Sequence, residues 1–205
     1  MVEHIDRARL DTDLRYRFDY LSKFINFTSN DITALNTFAK IANPFIQSVA
    51  EIIYDKLLHF DITKNHFLRT THDFQGTMTT DENQLTLQSE QILFRIHSIR
   101  KYLCRILRQS TWNDAFLEYI SNVGKIHTNS AGTHSIDVDY IHMNALFGYL
   151  EHVFIDGVLN NDEIDGTLKK DIIIALNKVF WIQNDFFSMH YIGGSKKGAD
   201  NKKTK

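Results

Sequence analysis

The sequence predicts an all-α protein, and three features of its composition support that fold class. It contains one proline and nine glycines in 205 residues, far fewer than the turns of a β protein require. Apolar residues recur every three or four positions over long segments, which is the spacing of an amphipathic helix. Fifteen phenylalanines indicate a core packed with aromatic rings.

The first half of the chain predicts three helices followed by a long connection. Apolar positions at helical spacing predict a short amphipathic helix over residues 11–25, and a polar cluster that begins at Thr28 is suited to cap the next helix. Pro44 breaks that second helix or lies in the first turn of the third, which extends to about Phe60. Residues 61–82 show no sustained period, which predicts an irregular connection of unusual length.

The second half predicts four longer helices, each with an apolar stripe. They cover residues 82–108, 112–127, 138–159 and 168–191. The final segment carries five lysines and no large apolar side chain. We therefore expect residues 1–192 to form one domain and residues 193–205 to form a disordered basic tail.

Charge and cysteine content exclude several classes of function. A net charge of −2 does not suit a protein that binds nucleic acid through bulk positive charge, so no nucleic-acid partner is expected. Cys104 is the only cysteine, which excludes an internal disulfide, a cysteine-based zinc site and a covalent CxxCH haem site. The sequence has neither a signal peptide nor an 18-residue apolar run, so we expect no membrane partner and a cytoplasmic location.

One histidine occupies an unusual position. Trp112, Phe116, Tyr119 and Val123 form an apolar stripe, and His127 is the next residue on it. Apolar burial favours a neutral imidazole, the form that binds a haem iron, whereas the end of a helix favours the charged ring. From the spacing alone, a core histidine bonded to a carbonyl of the following loop is the simpler interpretation.

Three segments resemble the protoglobin and globin-coupled-sensor family, in the order in which that family has them. Residues 49–57 are similar to its B helix, residues 100–103 to its E helix, and residues 113–127 to its proximal helix, with the ending Val-Gly-Lys-Ile-His. The resemblance covers roughly residues 14–191 and implies a globin-like helical sandwich with an extra N-terminal helix. Two connections are longer than is usual in the family, those between the B and E segments and after the proximal histidine.

The resemblance implies non-covalently bound haem b (iron protoporphyrin IX), with His127 as the ligand of the iron. It places Tyr54 on the distal side, where the hydroxyl can donate a hydrogen bond to a bound diatomic gas. The alternative for Tyr54 is an ordinary core residue with its hydroxyl at the surface. Val123 and Phe147 are further expected haem contacts.

The distal residues of the E segment remain open at this stage. Ser98 lies near a family position that is often threonine and can bond the ligand. His97 could approach the iron and give a six-coordinate haem, or its side chain could extend into solvent. Phe94 could line the distal wall or serve only in packing. The other histidines, among them His66 and His142, lack the spacing of a metal site.

The implied function is a gas sensor or carrier that binds O2, CO or NO, and we do not expect an enzyme beyond weak nitric-oxide dioxygenase or peroxidase-like activity. A haem-free helical module for protein interaction is the alternative. Residues 138–159 carry a second apolar stripe formed by Leu146, Tyr149 and Val153. Together with four apolar residues of the final helix (Val179, Phe180, Phe186 and Phe187), it predicts a homodimer through the last two helices.

Overall fold

The structure is a computed structural model that describes residues 2–69 and 73–200, with side chains up to residue 192. The described residues form nine α-helices and no β-strand, which confirms the all-α prediction. The helices are α1 (Arg7–Thr12), α2 (Leu14–Phe24), α3 (Ser29–Ala42), α4 (Ile46–Leu58), α5 (Asp61–Lys64), α6 (Glu90–Arg108), α7 (Asp114–Ile126), α8 (Tyr140–Leu159) and α9 (Gly166–Asp200). Within the described ranges, no helix combines the length and apolarity needed to cross a membrane. The predicted disordered tail, residues 193–205, lies outside the described side chains, and residues 201–205 lie outside the described structure altogether.

Side-chain caps fix the starts of several helices, among them α3 and α7. The Asp31 carboxylate accepts the backbone amide of Thr28 at 2.7 Å, and the two residues form the capping box that opens α3. At α7 the cap is Asn113, whose side chain accepts the Phe116 amide at 3.0 Å. A single side chain therefore caps α7, whereas two reciprocal bonds cap α3.

The helix α6 begins at Glu90, later than the predicted start near Glu82. The Thr86 amide donates to the Ser89 hydroxyl at 3.0 Å, which closes a turn immediately before the helix. Such local bonds compete with helical ones, so the apolar period before this turn does not continue as helix.

Helix α9 lies at the centre of the fold. It packs against α3, α7 and α8, while α6 packs against α3 and α4. Its inward face is almost completely buried at Ile172, Ala175, Leu176, Ile182 and Phe186. The pair α4–α6 and the group α7–α8–α9 thus face each other as two sides of a helical sandwich.

The N-terminal helix α2 is attached to the sandwich by polar and aromatic contacts. The Arg17 guanidinium donates to both oxygens of Asp185 on α9, at 2.6 Å and 2.7 Å. The Phe18 ring stacks on Trp112 with centroids 5.4 Å apart. A bidentate ion pair of this kind fixes orientation as well as contributing energy, so α2 covers the start of α7 in a defined position.

The apolar faces of α8 and α9 are covered by the chain itself to a greater extent than expected. All four apolar residues of α9 named above are at most 4% exposed, Leu146 lines an internal cavity, and Val153 packs on the core. These side chains are buried within the chain because α9 packs against other helices on several sides. The exposed apolar side chains of these two helices are instead Ile141, Leu159, Ile174, Trp181 and Ile192.

Helices α7 and α9 approach closely at Gly124. A Cβ atom at this position would lie 2.9 Å from the Phe186 carbonyl oxygen and 3.0 Å from the Phe187 Cα. Both are backbone atoms, so the crowding could be relieved only if the helices moved apart. The glycine of the Val-Gly-Lys-Ile-His segment is therefore required by packing.

We predict that Gly124→Ala lowers the free energy of unfolding by roughly 1–3 kcal/mol, the usual cost of overpacking. The matched control is Gly148→Ala in α8, where a Cβ meets nothing within 4 Å. That substitution should stabilise the protein by up to about 1 kcal/mol, because alanine favours the helix. Urea unfolding followed by circular dichroism measures both, and equal changes in the two variants would contradict the packing role.

Candidate functional site

A cavity of about 360 Å³ lies between the two sides of the sandwich. Side chains from α4, α6, α7, α8 and α9 line it, and most of them are aliphatic or aromatic. Its volume is within the range of small-molecule sites, roughly 300–1,000 Å³. The positions of the polar groups in this wall define what the cavity can bind.

His127 ends α7 and lines the cavity. Its Nδ1 lies 2.7 Å from the carbonyl oxygen of Val123, one turn earlier. A carbonyl oxygen only accepts, so Nδ1 carries the proton and Nε2 keeps its lone pair. Burial lowers the pKa of His127, the bond to Val123 acts in the opposite direction, and the nearby Arg95 charge lowers it further. The ring is therefore a neutral imidazole with a free nitrogen, packed on Phe187 with centroids 5.3 Å apart.

The segment after His127 returns to the end of α7 and is held there by Tyr191. The amide of Val138 donates to the His127 carbonyl at 2.8 Å. The Tyr191 hydroxyl on α9 donates toward the carbonyl oxygens of Val138 at 2.9 Å and His127 at 3.2 Å. Tyr191 thus positions the backbone of His127, a role that sequence reasoning missed because the two residues are far apart in the chain.

Tyr54 enters the same cavity from α4. Its ring packs on Phe67 with centroids 5.6 Å apart, and its hydroxyl has no hydrogen-bond partner among the described residues. Burial raises the pKa of Tyr54 to about 12, with the Arg95 charge acting in the opposite direction. The phenol therefore stays protonated near neutral pH and is a donor without an acceptor.

Arg95 is the polar cavity residue that sequence reasoning missed. It lies on α6, is 8% exposed, and its guanidinium is 5.1 Å from the centroid of Phe67. A signal for it existed, because position 95 falls between Ile92 and Ile99 on the apolar stripe of α6. A charged residue on such a stripe must either be paired or face a polar site.

The structure brings most of the expected site residues to this cavity. Val123, Phe147, Phe94 and Ser98 line it together with His127 and Tyr54. The Ser98 hydroxyl donates to the Phe94 carbonyl at 2.9 Å, so it is already bonded within α6.

His97 is the expected site residue that the structure does not bring to the cavity. Its side chain is exposed and does not line the wall. Residues two positions apart on a helix differ by about 200° in direction, so a helix that turns Arg95 inward turns His97 outward. The six-coordinate arrangement considered for His97 has no support in this geometry.

Two histidines meet at another part of the cavity wall. The rings of His66 and His142 have centroids 6.1 Å apart, and both line the cavity. His66 Nδ1 and His142 Nε2 are buried without a hydrogen-bond partner. Burial lowers the pKa of His66. Sequence spacing could not indicate this pair, since one residue precedes α6 and the other lies on α8.

The donor set of the cavity fits a haem. A neutral imidazole with a free nitrogen is what a haem iron takes from a protein, and apolar walls suit the faces of the porphyrin ring. His127 would hold the iron, and Phe147 and Val123 belong to the apolar wall beside it.

The comparisons with known proteins agree with this geometry. A family model described as Protoglobin matches residues 14–197. Among solved structures, the globin domain of a Geobacter sulfurreducens globin-coupled sensor superposes with a TM-score of 0.65 at 14% sequence identity. The match covers 84% of this chain and 96% of that domain.

At such low identity the structural likeness concerns the fold, and no curated protein matches the sequence. The family match, by contrast, extends over nearly the whole chain and includes α2 to α9 apart from the final residues of α9. It also contains His127 and Tyr54. The chain therefore belongs to the protoglobin family of haem-binding globins.

Proposed function

We propose that this protein holds haem b through His127 and binds a diatomic gas (O2, CO or NO) on the Tyr54 side, as a sensor or carrier. The observation that carries the proposal is the 2.7 Å contact between His127 Nδ1 and the Val123 carbonyl oxygen. Because that oxygen only accepts, the contact assigns the ring proton to Nδ1 and leaves the lone pair of Nε2 for iron.

The haem supplies an iron at which small gases bind reversibly. The protein supplies a buried, mainly apolar cavity, a fixed imidazole and a donor hydroxyl. Tyr54 is suited to discriminate between gases, because a phenol donates most strongly to a ligand that carries partial negative charge. Dioxygen has more of that charge when bound to ferrous iron than carbon monoxide has.

A homodimer through α8 and α9 is part of the proposal. Its surface differs from the stripe of Leu146, Tyr149 and Val153 that the sequence predicted. Ile174 and Trp181 on α9 are 41% and 56% exposed. They border a shallow apolar groove with Ile155 of α8 and Ile25. A tryptophan that is exposed in one chain and lies beside isoleucines is typical of a surface that a partner chain covers.

The first prediction concerns the iron ligand. His127→Ala should lose stoichiometric haem binding, since the cavity then offers no imidazole at the end of α7. The Soret absorbance per protein chain measures this. His97→Ala is the control and should behave like the wild type, because His97 lies outside the cavity lining. Unchanged ferrous and ferric spectra in His127→Ala would refute the assignment.

The second prediction concerns gas discrimination. Tyr54→Phe removes a hydroxyl whose hydrogen bond to the ligand contributes about 1.5 kcal/mol. Dioxygen should therefore dissociate about tenfold faster, while the dissociation rate of carbon monoxide should change less. Tyr102→Phe is the matched control, because the Tyr102 hydroxyl also lies at the cavity but already donates to Gln183 at 2.7 Å. Stopped-flow or flash-photolysis rates decide it, and equal dioxygen rates in wild type and Tyr54→Phe would remove Tyr54 from the ligand site.

The third prediction concerns the dimer. Trp181→Glu should shift sedimentation equilibrium from a dimer toward the 23.9 kDa monomer while leaving the haem spectrum intact. The control is Ile62→Glu on α5, which changes an equally exposed apolar residue at 56% but lies outside the groove. A wild-type protein that sediments as a monomer at micromolar concentration would rule the dimer out.

A further inference from the structure

Arg95 is a buried charge for which the described residues provide no counter-ion. Its side chain is 8% exposed, and its Nε atom is buried without a hydrogen-bond partner. No carboxylate forms an ion pair with its guanidinium within the described part of the chain. Its one close partner is the Phe67 ring, at 5.1 Å.

This arrangement is costly for a protein that binds nothing there. A guanidinium stays protonated even when buried, and a buried charge destabilises a fold unless it is paired. The ring of Phe67 contributes a cation–π attraction but accepts none of the five N–H bonds that a guanidinium can donate. The geometry therefore leaves Arg95 Nε as a donor that no acceptor among the described residues satisfies.

Arg95 shares its part of the cavity with a second donor. Tyr54 adds a hydroxyl without an acceptor among the described residues, and both side chains pack on Phe67, the guanidinium 5.1 Å and the Tyr54 ring 5.6 Å from its centroid. Asp73 is the carboxylate that lines the cavity, but its side chain is 75% exposed and lies 4.0 Å from His134 Nδ1. The site therefore suits a ligand that is negatively charged and accepts hydrogen bonds.

We propose that Arg95, together with Tyr54, forms a binding site for a small inorganic anion held at ferric haem. The inference rests on the proposed haem site at His127 and adds a second class of ligand to it. The anion must consist of few atoms, because it would share the cavity with the haem. The planar fork of the guanidinium can donate two parallel bonds to such an anion.

The guanidinium could instead pair with a carboxylate of the haem itself. Two observations favour the exogenous anion. Arg95 is almost fully buried, whereas a haem carboxylate is best solvated at the opening of a pocket. Arg95 also packs on the same Phe67 ring as Tyr54, the group that faces the ligand in the proposed function.

The site is tested by titrating the ferric protein with azide and, separately, with imidazole. The shift of the Soret band measures binding in both titrations. Arg95→Leu should weaken azide binding about tenfold or more, since a charge-assisted bond is lost, while neutral imidazole should bind within about twofold of wild type. Arg95→Lys keeps the positive charge but lacks the planar fork, so its azide affinity should lie between those of the wild type and Arg95→Leu. The control Arg100→Leu changes the net charge equally from a position on α6 outside the cavity lining.

The outcomes separate the two proposals. Unchanged azide affinity in Arg95→Leu, with an intact haem spectrum, would overturn the anion site alone. Faster haem loss with unchanged azide affinity would overturn it too and assign the guanidinium to a haem carboxylate. A wild-type protein without any haem spectrum would overturn both proposals. Circular dichroism melting establishes that each variant is folded, and Arg95→Leu should melt no earlier than wild type because it removes an unpaired buried charge.

Discussion

The close approach of α7 to α9 at Gly124 is the constraint on which the site depends. With no Cβ at this position, the backbone of α7 rests on the backbone of α9 at Phe186 and Phe187. His127 follows within one turn and is packed on the Phe187 ring. Its position is then secured from the other side by Tyr191, which reaches the His127 carbonyl from the same helix α9. The imidazole is therefore fixed by the Val123 carbonyl on α7 and by contacts to α9, which suits a residue proposed to hold a metal.

Three polar groups of the cavity, His127, Tyr54 and Arg95, differ in charge state although all three are subject to burial. Burial lowers the pKa of His127 and raises that of Tyr54, so both are neutral near neutral pH. Arg95 has its pKa lowered by the same burial, but from so high a starting value that it keeps its charge. These three groups thus offer a lone pair, a neutral donor and a fixed positive charge to the cavity. These are the complements of a metal ion and of a ligand that carries negative charge.

Sequence patterns predicted the fold class, most helix positions and the likeness to protoglobins, because helical periodicity and the Val-Gly-Lys-Ile-His segment are local signals. They did not determine the rotation of α6 about its axis, because either neighbour of Ile96, Arg95 or His97, could face the cavity. That is why His97 was considered and Arg95 was not. Tyr191 and the burial of Phe180 depend on contacts between distant segments, which single-sequence periodicity does not contain. The roles of His127 and Tyr54 rest on the family resemblance and remain proposals.

The distribution of unsatisfied polar atoms argues that the cavity is built for a ligand. In the described part of the chain, five buried side-chain atoms lack a hydrogen-bond partner, on Ser22, His66, Arg95, Trp112 and His142. Three of these residues line this one cavity. Each such atom destabilises the fold, so random placement would spread them over the core, and a protein that only packed helices would replace them with apolar groups. A cavity that concentrates them favours a ligand-binding globin over a haem-free interaction module, because a bound ligand is what offsets their cost.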